Sequence, residues 1–110
     1  MADRLPAHVE VAGLIRLVEA QGGFATVLAR GERDGGVIAL VVTARGEGAQ
    51  LYERMPQLDG SRRFVATRQE DPANRADFAD YLARRRRQDP DLWLIEADVA
   101  DTERFIAALP

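Results

Sequence analysis

The sequence contains no cysteine, and its one histidine is His8. Without cysteine there is no disulfide, no thiol nucleophile and no thiolate metal centre. A lone histidine leaves no histidine-based metal cluster. Lysine is missing too, so all fifteen basic residues are arginine, a usage that fits a GC-rich genome. That excludes a Schiff-base amine and the lysine of a phosphate-binding loop. Aromatic residues make up 6% of the chain. No stretch approaches the roughly 20 apolar residues of a membrane span. The opening MADRLPAHVE carries charges and no long apolar run, so it does not read as a secretory signal. The cytoplasm is the expected location, and an absence of disulfides fits a reducing compartment.

What is present reads as one ordinary globule. The 110 residues, 46% hydrophobic and 30% charged, predict a single α+β domain over residues 1–110. A net charge of −3 disfavours non-specific nucleic-acid binding, because phosphate backbones reward positive fields.

The organising stretch is Gly22 to Ala44, GGFATVLARGERDGGVIALVVTA. Two apolar runs flank a glycine-rich turn, Gly31 to Gly36, and Asp34-Gly35 between such runs is a hairpin signal. The second run, Val37 to Val42, is apolar on both alternating faces and belongs in the middle of a sheet. Ahead of it, Leu5 to Gln21 reads as a helix with Val11, Leu14, Ile15 and Val18 on one stripe. Gly13 inside that helix marks either a close backbone approach or nothing. Strands follow at Ala49 to Met55 and Arg63 to Gln69, separated by Pro56 and the Asp59-Gly60 turn. A second helix starts at Asp71-Pro72 or at a rival Asn74 cap and runs to about Gln88. It turns Phe78, Ala79 and Leu82 inward, with Tyr81 at the edge. Leu92 to Ala97 is a fifth strand, and Asp101 caps a short last helix with Phe105, Ile106 and Leu109 inward. The predicted fold is α+β: a helix, a four-stranded antiparallel meander, a helix, a fifth strand and a short C-terminal helix. The helices are expected on one sheet face, with the fifth strand at an edge or between the others.

No motif carries a recognisable chemistry, so candidate residues rest on position. Arg84 and Arg87 bound a run of four arginines at a helix C-terminus. They either complement the helix dipole or contact an anion or acidic partner. Tyr52 and Arg54 share one strand face, where an open setting would make them an interface hot spot. Trp93 reads as a packing residue, with base stacking discounted for want of neighbouring aromatics. His8 reads as a capping or core residue. Glu53, Glu96, Asp98 and Asp101 could include a catalytic pair, but no spacing selects one. The glycines Gly31, Gly35 and Gly36 lie between strands, away from a helix N-terminus, and so do not form a nucleotide cradle.

Four segments, AHVEVAGLIR, GGFATVLARGERDGG, LYERMPQLDG and DPDLWLIE, together resemble a family of short alphaproteobacterial proteins known as a domain of unknown function. The resemblance covers nearly the whole chain. It implies a single-domain bacterial cytosolic protein and supplies no activity, cofactor or catalytic residue.

The leading expectation is a non-enzymatic interaction module that self-associates through its sheet, most simply as a C2 dimer, or binds another protein. No cofactor and no membrane partner are expected. The alternatives are a small RNA- or nucleotide-binding regulator using its arginines, and an enzyme with a carboxylate site.

Overall fold

In the computed structural model, residues 5–110 are described. They form α1 (Ala7–Ala20), β1 (Phe24–Ala29), β2 (Ile38–Ala44), β3 (Glu47–Pro56), β4 (Arg62–Gln69), α2 (Arg75–Gln88), β5 (Trp93–Asp98) and α3 (Thr102–Ala107). The α+β class and the order of elements along the chain agree with the sequence. Asn74 wins as the α2 cap, its side chain accepting from the Asp77 N–H at 3.3 Å, and Asp101 caps α3 through the Arg104 N–H at 3.0 Å.

The sheet connectivity differs from the expected meander. The strand order is β1-β5-β2-β3-β4. Strands β2, β3 and β4 are successive antiparallel neighbours, but β5 lies parallel to β2 and antiparallel to β1. The predicted β1–β2 hairpin therefore does not form, and the fifth strand takes a central place. Burial explains the outcome. Trp93, Leu94, Ile95 and Ala97 are all buried, which requires cover on both faces, whereas Phe24, Thr26 and Val27 of β1 are exposed. Placing β5 at the edge would uncover its apolar side chains. The tight hairpin lies instead at Arg45-Gly46, between β2 and β3. Both residues have positive φ (55° and 79°), as a primed two-residue turn requires.

The helices pack on both faces, not on one. Val11, Leu14 and Val18 of α1 and Phe105 of α3 meet Ile38, Leu40, Tyr52, Trp93 and Ile95. On the opposite face, Phe78 of α2, flanked by Tyr81 and Leu82, meets Ala39, Val41, Leu51 and Leu94. Ala79, expected inward, is exposed, because the inward arc of this short amphipathic helix is filled by its larger neighbours. Strand β2 is thus buried on both sides by the chain's own helices, as its pattern required.

The segment Gly31–Val37 spans the gap that β5 occupies. It crosses the start of β5, where the Glu32 N–H donates to the Asp91 carbonyl (3.0 Å) and the Trp93 N–H to the Val37 carbonyl (2.8 Å). The Trp93 indole N–H donates to the Glu32 carbonyl at 2.7 Å. A Cβ at Gly31 or Gly36 would overlap the Asp91 carbonyl, so these glycines serve close crossing of two backbones. The same loop supplies the start of α1. Pro6 offers no side-chain cap, and the Ala7 and His8 N–H groups donate to the Asp34 and Arg33 carbonyls at 2.9 Å each.

Two glycine substitutions should therefore move stability in opposite directions. Gly36→Ala forces backbone apart and should cost roughly 1–3 kcal/mol. Gly13 faces open space inside a helix, so Gly13→Ala should stabilise by about 0.5–1 kcal/mol. Urea unfolding of both variants checks this, and equal effects at the two positions would contradict it.

Candidate functional site

The two edges of the sheet are built differently. β4 (RRFVATRQ) carries Arg62, Arg63 and Arg68 and a bulge where Leu51 opposes Arg68 and Tyr52 opposes Ala66. Charge and a bulge are devices that keep an edge strand from pairing with another chain. β1 (FATVLA) has neither charge nor proline. Its Phe24 is 77% exposed, and Val27 is exposed beside it. The β1 bulge falls near its end, between Val27 and Ala29, leaving Phe24 to Val27 in regular pairing with β5. Val27 also borders an apolar groove of about 360 Å³ between α1 and the sheet, whose other walls include Ile15 and Trp93.

The residues singled out from the sequence fall in several places. Tyr52 and Arg54 do not lie on an open face, because α1 covers that side of β3. Tyr52 is 8% exposed and its hydroxyl donates to Gln50 Oε1 at 2.9 Å; burial raises its pKa. Arg54 pairs with Glu10 of α1 at 2.6 Å and lies over the Phe64 ring at 4.8 Å. Trp93 is a buried packing residue with its indole N–H satisfied by the Gly31–Val37 loop, and Arg30 sits over its ring at 5.8 Å. Arg84 and Arg87, three apart on α2, have different surroundings. Arg84 lies 6.0 Å from the Tyr81 ring centroid, where Arg68 stacks more closely at 4.1 Å, whereas Arg87 lines a cleft of about 450 Å³. Between them Arg85 turns back to pair with Glu53 of β3.

Of the four carboxylates considered for acid–base work, Glu53, Asp98 and Asp101 have structural partners. Glu53 receives Arg85 and the Thr67 hydroxyl (2.7 Å). Asp98 accepts from the Thr43 hydroxyl and the Gly46 N–H, at 3.1 and 3.0 Å, and so clamps the β2–β3 turn. Asp101 is the α3 cap. His8 approaches the Arg33 carbonyl with Nδ1 at 3.1 Å, beside the backbone bonds that cap α1. Among the described residues no group of three or more His, Asp or Glu side chains is placed to hold a metal ion, and no helix is long and apolar enough to cross a membrane. Glu32 has a different task. Its carboxylate accepts from the Gly35 and Asp34 N–H groups, which hold its pKa below the ordinary glutamate value.

The sheet order and two-sided helical cover define a small α+β protein whose architecture recurs in solved structures. Two come from Caulobacter crescentus, each described as a DUF1491 family protein and each 30% identical to this chain. The crystal structure has a TM-score of 0.79, with 97% of this chain and 98% of that one covered. The NMR structure has a TM-score of 0.77, with 99% and 97% covered. A protein from A. tumefaciens, solved in solution, is also 30% identical, with a TM-score of 0.73 and 94% and 93% covered. The model of the family described as "Protein of unknown function (DUF1491)" matches residues 5–107, and the chain belongs to that family. The alphaproteobacterial resemblance read from the four segments is the same one. No curated protein matches the chain.

Sequence reasoning missed Phe24 as an exposed residue and Arg30 as a border of the cleft that Arg87 lines. The uncharged composition of β1 was the available signal for the first. The second depends on β5 lying between β1 and β2.

The Glu32 carboxylate gives a pH prediction. Its pKa is depressed on folding, so the stability it contributes is complete above the ordinary glutamate range and is lost as pH falls through its lowered value. The Gly35 amide resonance should titrate with a midpoint below the ordinary glutamate value. Glu32→Gln should abolish that titration, and a midpoint at or above the ordinary value would contradict the assignment.

Proposed function

We propose that the protein is a non-enzymatic interaction module that associates with a second copy of itself through the free edge of β1. The single observation carrying this reading is the contrast between the two edges: β4 is charged and bulged, and β1 is uncharged with Phe24 exposed. Strand β2 has helices on both sides, so it offers no bare face for association; the edge of β1 remains. Strand addition satisfies the free backbone groups of an edge and is a common mode of recognition.

Antiparallel pairing about a two-fold axis at Thr26 matches the faces of β1. Phe24 then lies beside Leu28 of the second copy on the α2 side, and Ala25 beside its Val27 on the α1 side. Each pair is apolar, and no charge meets its own copy at the axis. Two six-residue strands bury a small area, below the roughly 1,200 Å² of stable interfaces, so the dimer is transient and concentration-dependent.

Light scattering coupled to size exclusion, run from micromolar to roughly 0.5 mM protein, should show mass rising toward the dimer, as expected for a small interface. Thr26→Lys places two cations at the axis and should hold the protein monomeric, whereas Val65→Lys on the β4 edge should leave association unchanged. A strict monomer at the highest concentration, or equal loss in both variants, would sink the proposal.

A further inference from the structure

The groove of about 360 Å³ between α1 and the sheet has two walls. His8, Ala12 and Ile15 follow one another at helical spacing on α1, and Val27, Arg30 and Trp93 face them from the sheet side. Val27 is 40% exposed, an apolar surface that the chain's own helices leave uncovered. No carboxylate lines the groove, and Arg30 is its one permanently charged group. Arg30 is exposed and has no ion-pair partner among the described residues, whereas Arg54, Arg68, Arg75 and Arg85 each do. Its guanidinium lies over the Trp93 ring at 5.8 Å, and Trp93 belongs to the core cluster on the α1 side. Stacking engages the flat face of a guanidinium and leaves its N–H edge, the fork that fits a carboxylate, open. The His8 Nδ1 lies 3.1 Å from the Arg33 carbonyl. A carbonyl only accepts, so Nδ1 carries the hydrogen and Nε2 is the ring nitrogen left for a ligand.

We propose that this groove binds a small apolar carboxylic acid. Its hydrocarbon part lies against Ile15, Val27 and Trp93, and its carboxylate takes paired, charge-assisted hydrogen bonds from Arg30. A volume of about 360 Å³ falls at the small end of ligand sites, which are apolar with a few placed polar groups. A second copy paired at β1 does not fill the space. In that pairing Val27 lies beside Ala25 of the second copy, and one methyl group is too small to occupy the groove. Thr26 points to the opposite sheet face from Val27, so its substitution separates ligand binding from self-association.

Trp93 is the chain's single tryptophan, so its emission reports occupancy of the groove directly. Octanoate, octanamide and octylamine are titrated into the full chain at neutral pH, with amide shift mapping alongside. Octanoate should bind with a Kd of about 1 mM or below, shift the Trp93 emission and move the amides of Ile15, Val27 and Arg30. Octanamide keeps the hydrocarbon and lacks the charge, and should bind about fivefold or more weakly, with octylamine weaker still. Arg30→Gln should weaken octanoate by about fivefold or more and bring it level with octanamide. Arg16→Gln removes the same charge from the exposed side of α1, outside the groove, and should stay within about twofold. Ala12→Glu, a change to another good helix former, repeats the test from the opposite wall if Arg30→Gln disturbs folding. Its added carboxylate should weaken octanoate more than octanamide. Thr26→Lys should bind octanoate as the unaltered chain does, whether or not β1 pairing is detected. No Trp93 response at about 10 mM octanoate, octanamide binding as tightly as octanoate, or equal weakening by Arg16→Gln and Arg30→Gln overturns the proposal.

Discussion

The crossing of the Gly31–Val37 segment over the start of β5 ties together parts of the molecule that are far apart in the chain. Three hydrogen bonds join it to Asp91 and Trp93, and two more carry the first N–H groups of α1. The crossing works because Gly31 and Gly36 present no Cβ to the Asp91 carbonyl. Glu32 then folds its carboxylate back onto the loop's own N–H groups, fixing the carbonyls that face outward to the helix and the indole. Four elements, α1, β1, β2 and β5, take their relative positions from this one segment.

With β5 threaded between β1 and β2, the sheet centre must be covered on both sides. The helices are held there by apolar packing and by partly buried ion pairs reaching in opposite directions from one strand. Arg54 of β3 reaches α1 through Glu10, and Glu53, its neighbour in sequence, reaches α2 through Arg85. Alternation along β3 thus lets adjacent residues address two different layers. Arg68 adds a second tie to α2, pairing with Asp77 at 3.1 Å and stacking on Tyr81.

The elements themselves were legible because they depend on local pattern: the α1 stripe, the Asn74 and Asp101 caps, and the apolar run of β2. Strand order was not, because it depends on a comparison between distant segments. DGG between apolar runs is a true local signal for reversing the chain. It was outweighed by the burial that LWLIEA requires, a demand met by no edge position. The candidate sites inherited this error. Tyr52 and Arg54 would form an open-face pair only if all helices covered the other face, and α1 lies on theirs. Arg30 and Arg87 border one cleft only in the observed order. The role of Gly31 and Gly36 is not hairpin geometry but the close passage of one backbone over another.

Strand β5 follows the other four strands in the chain, yet it sits among them with a neighbour on each side. The β2–β3–β4 ladder can zip through short connections as the chain emerges. β1 has no partner in the native sheet until residues 93–98 arrive from the far side of α2. Folding therefore closes on a long-range step, the kind that is slow because loop closure precedes its reward. During that interval both β1 and the inner side of β2 are open edges, and the first contact available to β1 is the hairpin with β2 that its turn residues favour locally. The native topology requires that pairing, if made, to be undone before β5 can enter.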